Sequence, residues 1–251
     1  MTLSERYTIF RYRLWRARRK LPLVLIPAGW IALWIAVPFS VYDGIVYAAL
    51  CIACSLWGFL IRARALGTSA PLARKNAETA ENGPAVFPTE GIYARMRYPL
   101  YTGNFLVWFG FILFVGVNWF IVAATAAYVA CYLIVLSREE ELMLHKYGED
   151  FRIWCKQTPA LIPNRRGKRY RTRKFSFLAI LRGDFRNFWG MALLFLLTAI
   201  LKRRMITFSW NDSWQIALAA AAALLLFLVG SLIRRKKFYY LTHIFIFVSV
   251  R

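Results

Sequence analysis

Apolar and polar positions follow one another in long blocks along this chain. Apolar runs cover 21–41, 45–61, 100–117 and 119–137. The first is long enough to cross a ~30 Å hydrocarbon layer as a helix and too long for a signal-peptide core, so it predicts an uncleaved first span. Asp43 and Gly44 predict a tight turn into the second span, and Arg62 and Arg64 follow that span as a basic stop. Residues 65–90 contain Gly, Ser, Pro, Asn and Glu and read as a loop. The third and fourth runs are split only by Asn118. Each has about seventeen residues, the short end of the spanning range, and together they predict a helical hairpin with Asn118 and Trp119 at the outer interface.

After Ser137 the polarity changes at once but helical spacing continues. Leu136, Glu140, Met143, Leu144 and Tyr147 recur at three- and four-residue steps. The fourth helix is therefore expected to leave the membrane with Glu139 and Glu140 on its first aqueous turn. Gly148 marks a bend, and Pro159 and Pro163 end regular structure. A basic stretch follows over 164–186, in which Asp184 is the single acid. The remainder, 187–251, has a short apolar run at 188–201, the cations Lys202, Arg203 and Arg204, and a full-length run at 214–233. If both runs cross, the three cations face outside, against the positive-inside rule. Otherwise 188–201 lies in the interface or re-enters.

Composition supports an all-α, polytopic transmembrane protein with a helical-hairpin core and an extra C-terminal hydrophobic segment. Hydrophobic residues make up 59% of the chain, above the usual 45–50% of soluble domains, and the mean hydropathy is +0.45. The formal charge of +22 would suggest nucleic acid in a soluble protein. Here the Lys and Arg residues cluster at the ends of apolar runs. Topology and anionic membrane lipids account for them, and nucleic acid is set aside. Residues 1–20 are one such basic flank, with Tyr7, Phe10, Leu14 and Trp15 interleaved, and suit a surface helix. Cys51 and Cys54 have C-x-x-C spacing but lie inside an apolar run with no second pair, which favours packing over redox or metal chemistry.

No Gly-x-Gly-x-x-Gly, P-loop or Gly-x-Ser-x-Gly pattern occurs, and His145 and His243 are the two histidines. What remains is a set of Arg, Tyr and Glu side chains at the mouth of the predicted hairpin. A hairpin returns its two ends to one surface, so Arg97, Tyr98 and Tyr101 are expected close to Glu139 and Glu140. Acidic groups at the end of a span are costly unless solvated or paired, and Glu139 and Glu140 can pair with Arg97 or Arg138 or receive the amine and hydroxyls of a polar ligand. Taken alone, the glutamates also read as a solvated helix end, and the tyrosines as an interfacial belt.

The block 91–163 resembles the isoprenylcysteine carboxyl methyltransferase and phospholipid methyltransferase group of membrane enzymes. The matching residues are Gly91, Tyr93, Arg97, Pro99, Tyr101 and Gly103, then Glu139, Glu140, Tyr147, Gly148, Phe151, Trp154, Thr158, Pro159, Ile162 and Pro163. The order and both internal spacings agree. The resemblance implies S-adenosylmethionine as methyl donor without a Rossmann domain, at the cytoplasmic mouth of the hairpin. It implies that Tyr93, Tyr98, Pro99, Tyr101 and Gly103 line the donor and that Glu139 and Glu140 take its polar end. Glu140, Glu139 and Arg97 are then the catalytic candidates, no metal is called for, and the acceptor is a lipid or lipidated carboxylate, amine or hydroxyl. One position departs from the pattern: Tyr98 stands where the family has His, and Tyr is not a base near neutral pH. Two other readings stay open: a membrane NAD(P)H-dependent reductase of the steroid-reductase type, disfavoured by the Glu-Glu to Tyr-Gly spacing, and a non-catalytic membrane scaffold.

Overall fold

The computed structural model describes residues 3–36, 44–78, 89–163 and 177–207, with 218, 220–225 and 227–228 beyond them. The described residues are helical, with no strands among them. In order the helices are α1 (Leu3–Ala17), α2 (Leu25–Ile35), α3 (Ile45–Glu78), α4 (Pro99–Val115), α5 (Asn118–Gln157) and α6 (Phe177–Thr207). A 3-10 turn over Leu21–Val24 leads into α2, and another over Gly91–Ala94 precedes α4. Three segments are long and apolar enough to cross a membrane: Ile45–Ser69, Asn118–Gln157 and Gly183–Arg203. Leu21–Ile35 and Pro99–Val115 are shorter apolar helices.

The chain divides into two compact units. One holds Met1–Ser55 and Trp108–Arg152, the other Leu56–Val107 and Ile153–Arg251. In the first unit, Leu33, Phe111, Ile112, Val115 and Val135 are almost fully buried. Gly29 lets α2 approach closely: a Cβ there would stand 3.1 Å from Val115 Cγ2 and 3.3 Å from the Phe120 ring. Gly110 serves α3 and α4 in the same way, since a Cβ would collide with Ser55 Oγ and the Cys51 carbonyl. Cys51 is thus a buried packing position. The α4–α5 turn is made at Gly116, whose φ of 75° suits glycine, and Asn118 is already the first residue of α5. At the end of α4 the Leu113 carbonyl accepts from the Tyr47 hydroxyl at 2.8 Å and from the Gly116 N–H at 2.9 Å.

In the second unit, α3 and α4 come into backbone contact. A Cβ on Gly58 would lie 2.5 Å from the Gly103 carbonyl oxygen and 2.7 Å from the Val107 nitrogen. Glycine is required at Gly58 and Gly103 because the two helix backbones leave no room for a side chain.

Several expectations change. The expected loop 65–90 is helical as far as Glu78, because its Ala, Leu, Arg and Lys residues outweigh Gly67 and Pro71. Ala65 is fully buried, and Leu66 lies 3.0 Å from where a Gly183 Cβ would be, so packing holds this extension. The described part of the first apolar run is helical only to Ile35, and 37–43 fall outside the described residues. The short run 188–201 belongs to a 31-residue helix, and Lys202 is buried on it. Of the expected span 214–233, residues 218, 220–225 and 227–228 are described and helical; the rest of it, 164–176 of the basic linker 164–186 and the tail 238–250 lie outside the described residues.

The outward sides of these helices are apolar. Trp34 is 76% exposed and Ile45 85%, and Val46, Leu50, Trp57, Leu60 and Val122 are exposed too. A surface of this kind is stable against lipid chains and not against water.

Candidate active site

The first part of the motif builds a turn and a helix start in the second unit. Gly91 adopts φ 62°, and the 3-10 turn that follows buries the Tyr93 ring. Burial pushes the Tyr93 phenol well above its usual pKa, and the Ser69 hydroxyl pulls the other way more weakly. Pro99 opens α4, where its missing N–H costs nothing. The turn is held by a remote strap. Arg97 N–H donates to the Pro159 carbonyl at 2.9 Å, Tyr98 N–H to the Ala160 carbonyl at 3.0 Å, and Thr102 Oγ1 to the Leu161 carbonyl at 3.2 Å. The motif's closing Thr158–Pro159 thus begins the stretch whose carbonyls fix the Arg97–Tyr98 backbone. Tyr98 and Tyr101 stand edge to face, with ring centroids 5.9 Å apart. The Arg97 guanidinium lies 5.8 Å from the Tyr98 ring centroid and donates to Cys155 Sγ at 3.0 Å.

The second part of the motif lies on α5 in the first unit. The helix continues unbroken from the apolar run through Glu139 and Glu140, as its spacing predicts, and kinks at Gly148 (φ 55°, ψ −130°). Its buried side runs through Tyr128, Tyr132, Val135 and Glu139. Glu139 is only 4% exposed, while Glu140 is half-buried. Trp15 of α1, itself buried, donates its indole N–H to Glu139 Oε2 at 2.7 Å. Arg18 stacks over the Trp15 ring at 4.1 Å. One turn away on α1, Arg11 donates to Glu141 Oε1 at 2.6 Å and to Ser137 Oγ at 3.1 Å. Arg138 pairs with Glu141 at 2.8 Å. Glu141 is one residue further round the helix and meets Arg138 at the favourable i,i+3 spacing.

The basic N-terminal flank thus does more than sequence reading assigns to it, since it provides a hydrogen-bond donor to the motif carboxylate. The sequence carries one trace of this: Trp15 is the single large indole among the arginines of the flank. That trace is shared by interfacial tryptophans in general.

Residues 44–150 match the family model of phospholipid methyltransferases. Neither the curated proteins nor the solved structures give a match. The matched segment takes in Gly91 to Gly103, Glu139, Glu140, Tyr147 and Gly148, so it holds most of the motif that carried the resemblance. With its membrane-length apolar helices, the chain is a membrane protein whose residues 44–150 are similar to the phospholipid methyltransferase family.

Proposed function

We propose that this protein is an S-adenosylmethionine-dependent methyltransferase that carries a methyl group to a lipid or lipidated acceptor. The observation that carries this reading is the family match over 44–150, which encloses both the Arg97–Gly103 turn and the glutamate pair. The side chains suit such a donor chemically. Its amine and hydroxyls ask for acceptors, which Glu139 and Glu140 offer, and its cationic sulfur asks for aromatic faces, which Tyr98 and Tyr101 offer.

Bound S-adenosylmethionine supplies an electrophilic methyl group on a sulfonium centre. The residues around it have only to bind, align and discharge. Tyr93, Tyr98, Pro99, Tyr101 and Gly103 line the donor in this reading, and each aromatic face adds about 0.5–2 kcal/mol of attraction for a cation. Glu139, fixed by Trp15, holds a polar end. Glu140 takes the proton from an amine acceptor, whereas a carboxylate acceptor needs no base. Arg97 orients a negative group on donor or acceptor. Alignment of this kind is worth up to roughly 7–11 kcal/mol of barrier. The basic residues that follow Ile61 and precede Leu21 set the N-terminus and the motif on the cytoplasmic side, and the basic segments attract anionic lipid.

The test is transfer from methyl-labelled donor to total membrane lipid by the purified chain. Label in the lipid fraction, cut by about a hundredfold or more in Glu140→Gln, supports the reading for an amine acceptor. Label that never reaches lipid or lipidated material contradicts it.

A further inference from the structure

Asp184, the single acid of the basic stretch 164–186, lies on α6, beyond the family match. It is 6% exposed. Its carboxylate grips Arg62 of α3 with both oxygens: Nη2 donates to Oδ1 at 2.5 Å and Nε to Oδ2 at 2.9 Å. Asn187, one turn on, donates its Nδ2 to Asp184 Oδ1 at 3.0 Å. The same guanidinium donates Nη1 to Asn104 Oδ1 on α4 at 3.2 Å. Its aliphatic stem fills the space that Gly103 leaves open, since a Cβ there would lie 2.6 Å from Arg62 Cγ. One arginine therefore meets two consecutive residues of the motif helix, and an acid from outside the motif fixes that arginine.

Charges on apolar helices are expensive and seldom kept for packing alone, because apolar residues of similar volume often pack as well. An apolar trio does not supply direction. A two-pronged Arg–carboxylate contact fixes the plane of the guanidinium, and with it the line of the bond to Asn104.

We propose that Asp184 is a positioning residue for the methyl-donor site: it orients Arg62, and through Arg62 it sets Gly103 and Asn104 at the start of α4. The proposal rests on the methyltransferase reading above, and it makes α6 a working part of the domain that 44–150 begins.

The experiment measures S-adenosylhomocysteine binding and methyl transfer by the full chain in lipid nanodiscs. Asp184→Asn keeps the shape and removes the charge. It is expected to weaken binding and raise the KM for the donor by about tenfold, with kcat changed much less. Asp184→Glu restores the carboxylate and is expected to recover most of the affinity. Asn104→Ala alone weakens binding too, but adds little on top of Asp184→Asn, because both act through Arg62. Should Asp184→Asn fail to fold, Arg62→Lys keeps the charge, loses the fork and is expected to show the same rise in KM. Unchanged donor affinity in Asp184→Asn or Arg62→Lys, or full additivity with Asn104→Ala, overturns the proposal while leaving the methyltransferase reading in place. Absence of binding by the wild-type chain overturns the reading, and the proposal with it.

Discussion

Trp15 and Glu139 are 124 residues apart in sequence and joined by a 2.7 Å hydrogen bond between buried groups. The indole N–H has no acceptor of its own to offer, so it can only donate, and a buried carboxylate can use every donor within reach. A hydrogen bond to a charged group contributes about 1.5–3 kcal/mol. Trp15→Phe keeps an aromatic ring and removes that donor. We expect it to lower the chain's stability by about that amount, read as a lower midpoint of unfolding in detergent. An unchanged midpoint would mean that other donors satisfy Glu139.

The Tyr93 phenol gives a pH signature. Burial, opposed weakly by Ser69, raises its folded-state pKa above the unfolded value near 10. The stability this group contributes is complete below about pH 10 and is lost as pH rises, because the unfolded chain releases the proton first. Tyr93→Phe is expected to flatten the loss of stability on the alkaline side. Unfolding followed between neutral and strongly alkaline pH checks this, and equal steepness in both proteins would contradict it.

The strap over 159–161 accounts for why the Arg97–Tyr98 turn and the motif's closing prolines are kept together. Thr102→Val removes the hydroxyl that reaches the Leu161 carbonyl. We expect a loss of about 1 kcal/mol of stability and faster hydrogen exchange at the Arg97 and Tyr98 amides, whose acceptors sit on that strap. Exchange at those amides no faster than in the wild-type chain would separate the strap from the turn.

Gly58 is a sharper case. A methyl group there would stand 2.5 Å from one backbone oxygen and 2.7 Å from a backbone nitrogen, neither of which can move aside alone. Gly58→Ala is expected to cost about 1–3 kcal/mol or more through overpacking. Gly44→Ala, with nothing within 4 Å of its Cβ, is the matched control and is expected to be close to neutral in the same unfolding assay.

Much of the architecture is legible in local chemistry. The apolar blocks mark α3 and α5, because spanning helices must be apolar over a fixed length, and the shorter apolar helix α4. The unbroken passage of α5 into Glu139 and Glu140 follows from three- and four-residue spacing, and the kink from Gly148. The extent of α3 is not legible. Gly67, Ser69 and Pro71 are loop residues by propensity, and the burial of Ala65 and the packing of Leu66 against Gly183 override them. At the candidate site, residue types are legible and partners are not. Nothing local ties Trp15 to Glu139, Arg62 to Asp184 or Arg97 to Pro159, since each pair forms only when distant segments dock. Arg138 has three acids in a row after it, and it pairs with Glu141, the one at the i,i+3 offset.

The proposed function requires that this protein bind the methyl donor. Calorimetric titration of S-adenosylhomocysteine into the wild-type chain in nanodiscs, repeated with Tyr101→Ala and Glu140→Gln, tests it most directly. Saturable binding that each substitution weakens by about tenfold or more is expected. No saturable binding by the wild-type chain, or binding that neither substitution changes, would contradict the proposal.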